Sequence, residues 1–240
     1  MKKYAFLATV LVICFIGSVA ADEIDVLIKQ LRSLKSATRL SAAKELGKRK
    51  DPRGVNPLVS VVKGDQKWEV RLAAEDALVR IGSPSVGPLV QILKEEKDCF
   101  VRRRAGRAIE ELEKLQVTCD PRALKNAAQT DTDCFVRRVA ARGLAEVKDP
   151  EAAEFLDDSM KKKNLEIISA AYAYYIRKGE AGTEEVLIEA LQVGCYEKKM
   201  VLDFAYCGNE KLKQAAEEIA KKRKITIAAD RSGPKWGKIN

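Results

Sequence analysis

A repeat of about 31 residues limits what this chain can fold into more than any other feature. The segments beginning at Val70, Val101 and Val136 align without gaps over thirteen residues, and the column Ala42, Ala74, Ala105, Ala140, Ala171 and Leu202 recurs at steps of 32, 31, 35, 31 and 31. Four residues later a larger apolar column runs through Leu46, Leu78, Ile109, Leu144, Tyr175 and Tyr206. Within one unit, Val70, Ala73, Ala74, Ala77, Leu78 and Ile81 fall at the spacing of a single helical stripe. Small residues on that stripe let helices approach closely and large ones fill between them. The pattern predicts helix packed against helix.

A turn follows each first helix. Asp51-Pro52, Ser83-Pro84 and Asp149-Pro150 hold one register and Asp120-Pro121 is displaced from it. Asp or Ser accepts from amides that a helix start leaves without partners, and proline just inside loses nothing by lacking an N–H. The second helices then read VNPLVSVV, VGPLVQIL, AAEFLDDSM and EEVLIEAL. A pair of this size cannot bury its own apolar stripe, so neighbours must stack. The expectation is an all-α, right-handed α-solenoid of about six antiparallel helix pairs starting near residues 38, 70, 101, 136, 167 and 198. Residues 22–36 form a capping helix ahead of the repeats at 37–224, and 225–240 form an irregular, mobile tail. The six extra residues before Pro121 predict a longer first helix or a protruding loop there.

At this level of detail the units resemble HEAT repeats, in particular the short type also found in phycobilisome lyase proteins. The matching residues are Val70, Arg71, Ala73, Ala74, Ala77 and Leu78, with Pro84, Val86, Pro88 and Leu89 downstream. The resemblance covers roughly residues 37–195, and Lys198, Lys199 and Met200 depart from the Val-Arg start. It implies a superhelix offering extended surface for binding; membership of the lyase group would imply bilin handling, on the resemblance alone.

Before the repeats, Lys2 and Lys3 precede an apolar run from Ala5 to Ile16, followed by Gly17, Ser18, Ala20 and Ala21. This is the layout of a secretory signal peptide over residues 1–21, cut near Ala20 or Ala21, with a retained anchor as the alternative. Cleavage leaves 42 Lys plus Arg against 35 Asp plus Glu, and no transmembrane span in the mature chain. Export to the periplasm or the outside disfavours nucleic acid as a partner. Acidic proteins, anionic glycans or a membrane surface fit the basic balance better.

The chain has no histidine, which removes His-based nucleophile pairs, His general bases and His-ligated zinc. Nothing in the sequence calls for a cofactor, a metal or a catalytic residue. The most distinctive local feature is a near-duplicate, Asp98-Cys99-Phe100-Val101-Arg102-Arg103 and Asp133-Cys134-Phe135-Val136-Arg137-Arg138. Arg102 and Arg137 share a column with Arg39 and Arg71 and are expected to pair structurally with Asp98 and Asp133. Arg103, Arg107, Arg138 and Arg142 lie off the apolar stripe, and they are the candidate binding residues of a cationic patch for carboxylates, sulfates or phosphates.

Five cysteines follow the leader. Cys99 and Cys134 open neighbouring first helices and form the candidate disulfide; the alternative is a reactive thiolate at a helix start. Of the tyrosines, Tyr174 and Tyr175 fall on the core stripe and Tyr172 is expected at the surface. Together these residues favour a non-catalytic protein-interaction scaffold. An anion-binding module on repeats three and four, and a lyase-like or thiol enzyme, stand as the alternatives.

Overall fold

The computed structural model describes residues 23–117, 119–193, 197–227 and 233–238, so the expected leader and its cleavage site lie outside the described residues. The described residues form α-helices and short 3-10 turns, with no strand among them. The chain divides into two compact units, one up to Leu112 and one from Glu113 onward.

The first unit opens with α1 (residues 23–30), which buries Ile24. Two helix pairs follow: α2 (Ser36–Arg49) with α3 (Val55–Gly64), and α4 (Trp68–Ile81) with α5 (Val86–Glu95); α6 (Cys99–Lys114) then begins the third. Packing of α2 and α3 against α4 buries Ala42, Leu46, Leu58, Ala74 and Leu78 completely. Each aliphatic side chain so removed from water contributes about 1.5–3 kcal/mol, less for alanine. The approach of α2 to α4 needs a glycine: a Cβ on Gly47 would stand 2.8 Å from Ala77 Cα.

The second unit continues through α7 (Pro121–Thr130), α8 (Cys134–Glu146), α9 (Pro150–Lys161), α10 (Leu165–Ala170), α11 (Tyr172–Lys178), α12 (Glu184–Val193), α13 (Glu197–Tyr206) and α14 (Glu210–Arg223). Consecutive helices again pack in pairs, α7 on α8 and α13 on α14, with α10 on α12. Ala140, Leu144, Ala171 and Tyr175 are buried as the columns require, while Leu202 is buried and Tyr206 half-buried in the last repeat.

The turns follow the sequence at three of four places. Asp51 accepts from Arg53 N, Asp120 from Arg122 N, and Asp149 from Glu151 N and Ala152 N, each followed by proline at the first helical position. Ser83 differs. Its 3-10 turn starts at Ser83 itself behind Gly82 (φ +86°), so no side chain caps that start. The third repeat has the lengthened first helix: α6 runs 16 residues against 14 in α2 and α4, and the chain leaves it through Gln116 in the left-handed region (φ +61°).

The first helix of the fifth repeat breaks at Ala171 (φ −97°, ψ 16°), which separates α10 from α11. Tyr172 occupies the place that Ala43, Gly106 and Ala141 hold in other repeats, and the helix accommodates the larger ring with a tighter turn, Tyr174 N donating to Ala171 O at 2.9 Å. Tyr172 is therefore buried, not surface-exposed as its place off the stripe suggested. The described part of the tail is irregular as expected but not loose. Residues 233–238 are hydrogen-bonded to the ends of α11 and α13.

Candidate interaction surface

The turns that link one helix pair to the next are built around the arginine column. Arg39 Nη1 donates to Ser33 O at 2.8 Å, Arg71 Nη1 to Asp65 O at 2.6 Å, Arg102 Nη1 to Glu96 O at 3.0 Å and Lys97 O at 2.9 Å, and Arg137 Nη1 to Asp131 O at 2.8 Å. Each guanidinium thus folds back six residues onto carbonyls that the preceding helix end leaves without amide partners. The expected partners, Asp98 and Asp133, do something else: they cap the helix starts, accepting from Phe100 N and from Phe135 N and Val136 N. The column is structural, through main-chain carbonyls. Arg39 and Arg137 add a carboxylate, Asp65 at the end of α3 in the same repeat and Glu166 at the start of α10.

These braced turns hold out apolar side chains in the first unit. Leu34, two residues before α2, Trp68, the first residue of α4, and Phe100, the second of α6, have relative exposures of 101%, 58% and 65%. Beside them, Lys35, Lys67 and Lys97 are exposed, and their ammonium groups have no ion-pair partner among the described residues. A large apolar group next to a cation at each repeat start is a surface that suits a protein partner better than bulk water.

The four candidate arginines are less uniform than their sequence spacing implied. In the first unit Arg103 is half-buried with its guanidinium 5.0 Å from the Phe100 ring centroid. Arg107 is exposed, and its Nε lies 3.7 Å from Glu75 Oε1, while Arg104 Nη1 donates to Glu75 Oε2 at 3.1 Å. Glu75 is buried, which pushes its carboxyl pKa up, with the two arginines pulling the other way. In the second unit Arg138 is half-buried, 5.8 Å from the Phe135 ring, and Arg142 is half-buried. Part of this positive charge therefore serves aromatic and carboxylate groups of the chain itself.

Cys99 is half-buried and Cys134 exposed, both as thiols; Cys195 lies outside the described residues. Among the described residues no three His, Cys, Asp or Glu side chains group as a metal-ligand set, and no helix is long and apolar enough to cross a membrane.

Two buried polar clusters escaped the sequence reading. Glu113, buried at the end of α6, accepts from Cys119 N, and burial pushes its pKa up to about 7. Tyr172 donates its hydroxyl to Asp203 Oδ2 at 2.5 Å, and Lys199 Nζ donates to the same hydroxyl at 3.0 Å and to Asp203 Oδ2 at 3.2 Å. The second was within reach of the alignment, since Tyr172 and Asp203 occupy the same repeat position one repeat apart.

Comparison with known proteins agrees with this architecture. The sequence matches the family described as HEAT repeats over residues 24–110 and again over 86–177. Two solved structures resemble it: an engineered protein at 20% identity, covering 84% of this chain and 96% of that one with a TM-score of 0.43, and human deoxyhypusine hydroxylase in complex with glycerol at 18% identity, covering 84% of each chain with a TM-score of 0.33. No curated protein matches the sequence. With the repeated helix pairs, their buried alanine column and a family match that spans more than half of its length, the chain belongs to the HEAT repeat family.

Proposed function

We propose that this HEAT repeat protein is an exported, non-catalytic scaffold or adaptor that holds a partner protein. HEAT repeats commonly mediate protein interactions. The observation that carries the reading here is the recurring presentation of Leu34, Trp68 and Phe100 beside Lys35, Lys67 and Lys97 at the repeat starts of the first unit. Three exposed apolar groups of this kind suit an interface core, with the lysines at its rim. The absence of histidine from the sequence and the self-engaged arginines favour binding by shape and apolar contact over bond-making chemistry. Export rests on the leader sequence alone.

The test is mild crosslinking and affinity capture from the envelope fraction, followed by binding of the purified partner to the chain and to a Trp68→Ser/Phe100→Ser double variant. Loss of at least tenfold in affinity in the double variant supports the reading. Undiminished binding, or activity that cysteine alkylation destroys, refutes it. The intact mass of the secreted chain reports the cleavage site.

A further inference from the structure

Residues 233–238 run across the C-terminal ends of α11 and α13 as an irregular segment that turns at Trp236 and Gly237, where Gly237 takes φ +67° and Lys238 N donates to Lys235 O at 3.2 Å. Trp236 N donates to Cys207 O at 2.8 Å, Gly237 N to Ile176 O at 3.0 Å, and Lys235 Nζ to Tyr206 O at 2.7 Å. All three acceptors are main-chain carbonyls at helix C-termini, which lack intrahelical donors and lie at the negative ends of the helix dipoles. The notch therefore presents acceptors and partial negative charge, and what fills it supplies two N–H groups and an ammonium.

Its shape is equally selective. Gly179 follows α11 in the left-handed region (φ +62°), and a Cβ there would overlap Gly237 N and Cα. A Cβ on Gly233 would come within 2.9 Å of Asp203 Oδ1. Asp203 is 3% exposed and receives Tyr172 and Lys199 on its other oxygen, Oδ2, so the segment lies against Oδ1. Glycine at 233 and 237 is what lets it lie this close. Trp236 is half-buried between them.

We infer that this notch is a peptide-binding site, held in this structure by the chain's own segment 233–238, and that it exchanges that segment for a lysine-bearing turn segment of a partner protein with glycines placed as in Gly-Pro-Lys-Trp-Gly. The site belongs to the second unit and is independent of the apolar groups at the repeat starts of the first. The chain's own segment competes from an effective concentration of roughly millimolar, so it sets a threshold that a partner segment must exceed.

The experiment measures fluorescence anisotropy of a labelled Gly-Pro-Lys-Trp-Gly-Lys peptide against the full chain, a Lys235→Ala/Trp236→Ala variant that loosens the chain's own segment, and the same variant carrying Gly179→Ala. The loosened variant binds the peptide at least tenfold more tightly than the parent, and Gly179→Ala removes that binding. A peptide with Glu in place of Lys, tested on the loosened variant, binds at least tenfold more weakly; this arm holds even where Gly179→Ala harms folding. Equal affinity for parent and loosened variant overturns the inference, as does equal affinity for the Lys and Glu peptides. Sedimentation that shows parent dimers, lost in the loosened variant, identifies a second copy as the occupant and also overturns it.

Discussion

Gly47 and Gly64 both lie in helices of the first unit, and the fold gives the same substitution opposite signs at the two sites. In a helix, Gly→Ala gains about 0.8–1 kcal/mol from the smaller backbone entropy loss. Gly64 ends α3 with no atom within 4 Å of an added Cβ, so Gly64→Ala keeps most of that gain. At Gly47 the same methyl would meet Ala77 Cα at 2.8 Å and Ala77 Cβ at 2.9 Å, against an ordinary carbon separation of about 3.5–4.0 Å. Both of those atoms belong to the backbone or sit directly on it, so α2 and α4 must move apart by about 0.7 Å or more. Overpacking of this kind costs about 1–3 kcal/mol, which after the helix gain leaves Gly47→Ala destabilising by up to about 2 kcal/mol. Urea titration followed by circular dichroism measures both variants, with Gly47→Ala shifting unfolding to lower urea and Gly64→Ala to higher. If Gly47→Ala stabilised the chain as Gly64→Ala does, the close approach of α2 to α4 would be wrong.

Four further outcomes follow from the described contacts. Glu113 binds its proton more tightly folded than unfolded, so the folded state carries the extra proton between about pH 4.5 and 7 and stability falls as pH rises through that window, by about 3 kcal/mol at most; Glu113→Gln flattens the slope measured by denaturation across pH. Arg102→Ala strips the Nη1 donor from two turn carbonyls and costs about 2 kcal/mol in thermal or chemical unfolding. Tyr172→Phe removes a donor from the buried Asp203 carboxylate and destabilises the second unit by about 1–3 kcal/mol, read by hydrogen exchange in α13. Cys134, exposed, reacts with iodoacetamide without reduction, whereas buried Cys119 and Cys207 react only on unfolding; a Cys134 that needs reductant first overturns its thiol state, and peptide mapping then tests Cys99 as its partner.

The regular half of the fold was legible because it rests on periodicity. The alanine column, the larger column four residues on, the Asp-Pro helix starts and the long α6 each follow from spacing, and each repeats often enough to be read against itself. What escaped depends on single side chains. Ser83 and Asp51 look equivalent in sequence, yet only the aspartate caps, since a 3-10 turn begins one residue earlier in the second repeat. Helix-wheel position placed Tyr172 at the surface, but the break at Ala171 rotates it inward toward Asp203. The arginine column was visible as a column, while its partners were not, because main-chain carbonyls leave no mark in the sequence. The candidate arginines are a similar case. Spacing put Arg103 and Arg107 on one face but could not tell that Phe100 and Glu75 lie under them.

The claim beneath all of this is that neighbouring repeats meet along a seam of small residues, and nuclear Overhauser contacts test it most directly. The Gly47 Hα protons and the Ala77 methyl group are 30 residues apart in sequence and in contact across α2 and α4. A strong cross-peak between them, in a sample labelled at alanine methyls, is the expected result. Its absence from a folded, well-dispersed spectrum would contradict the account.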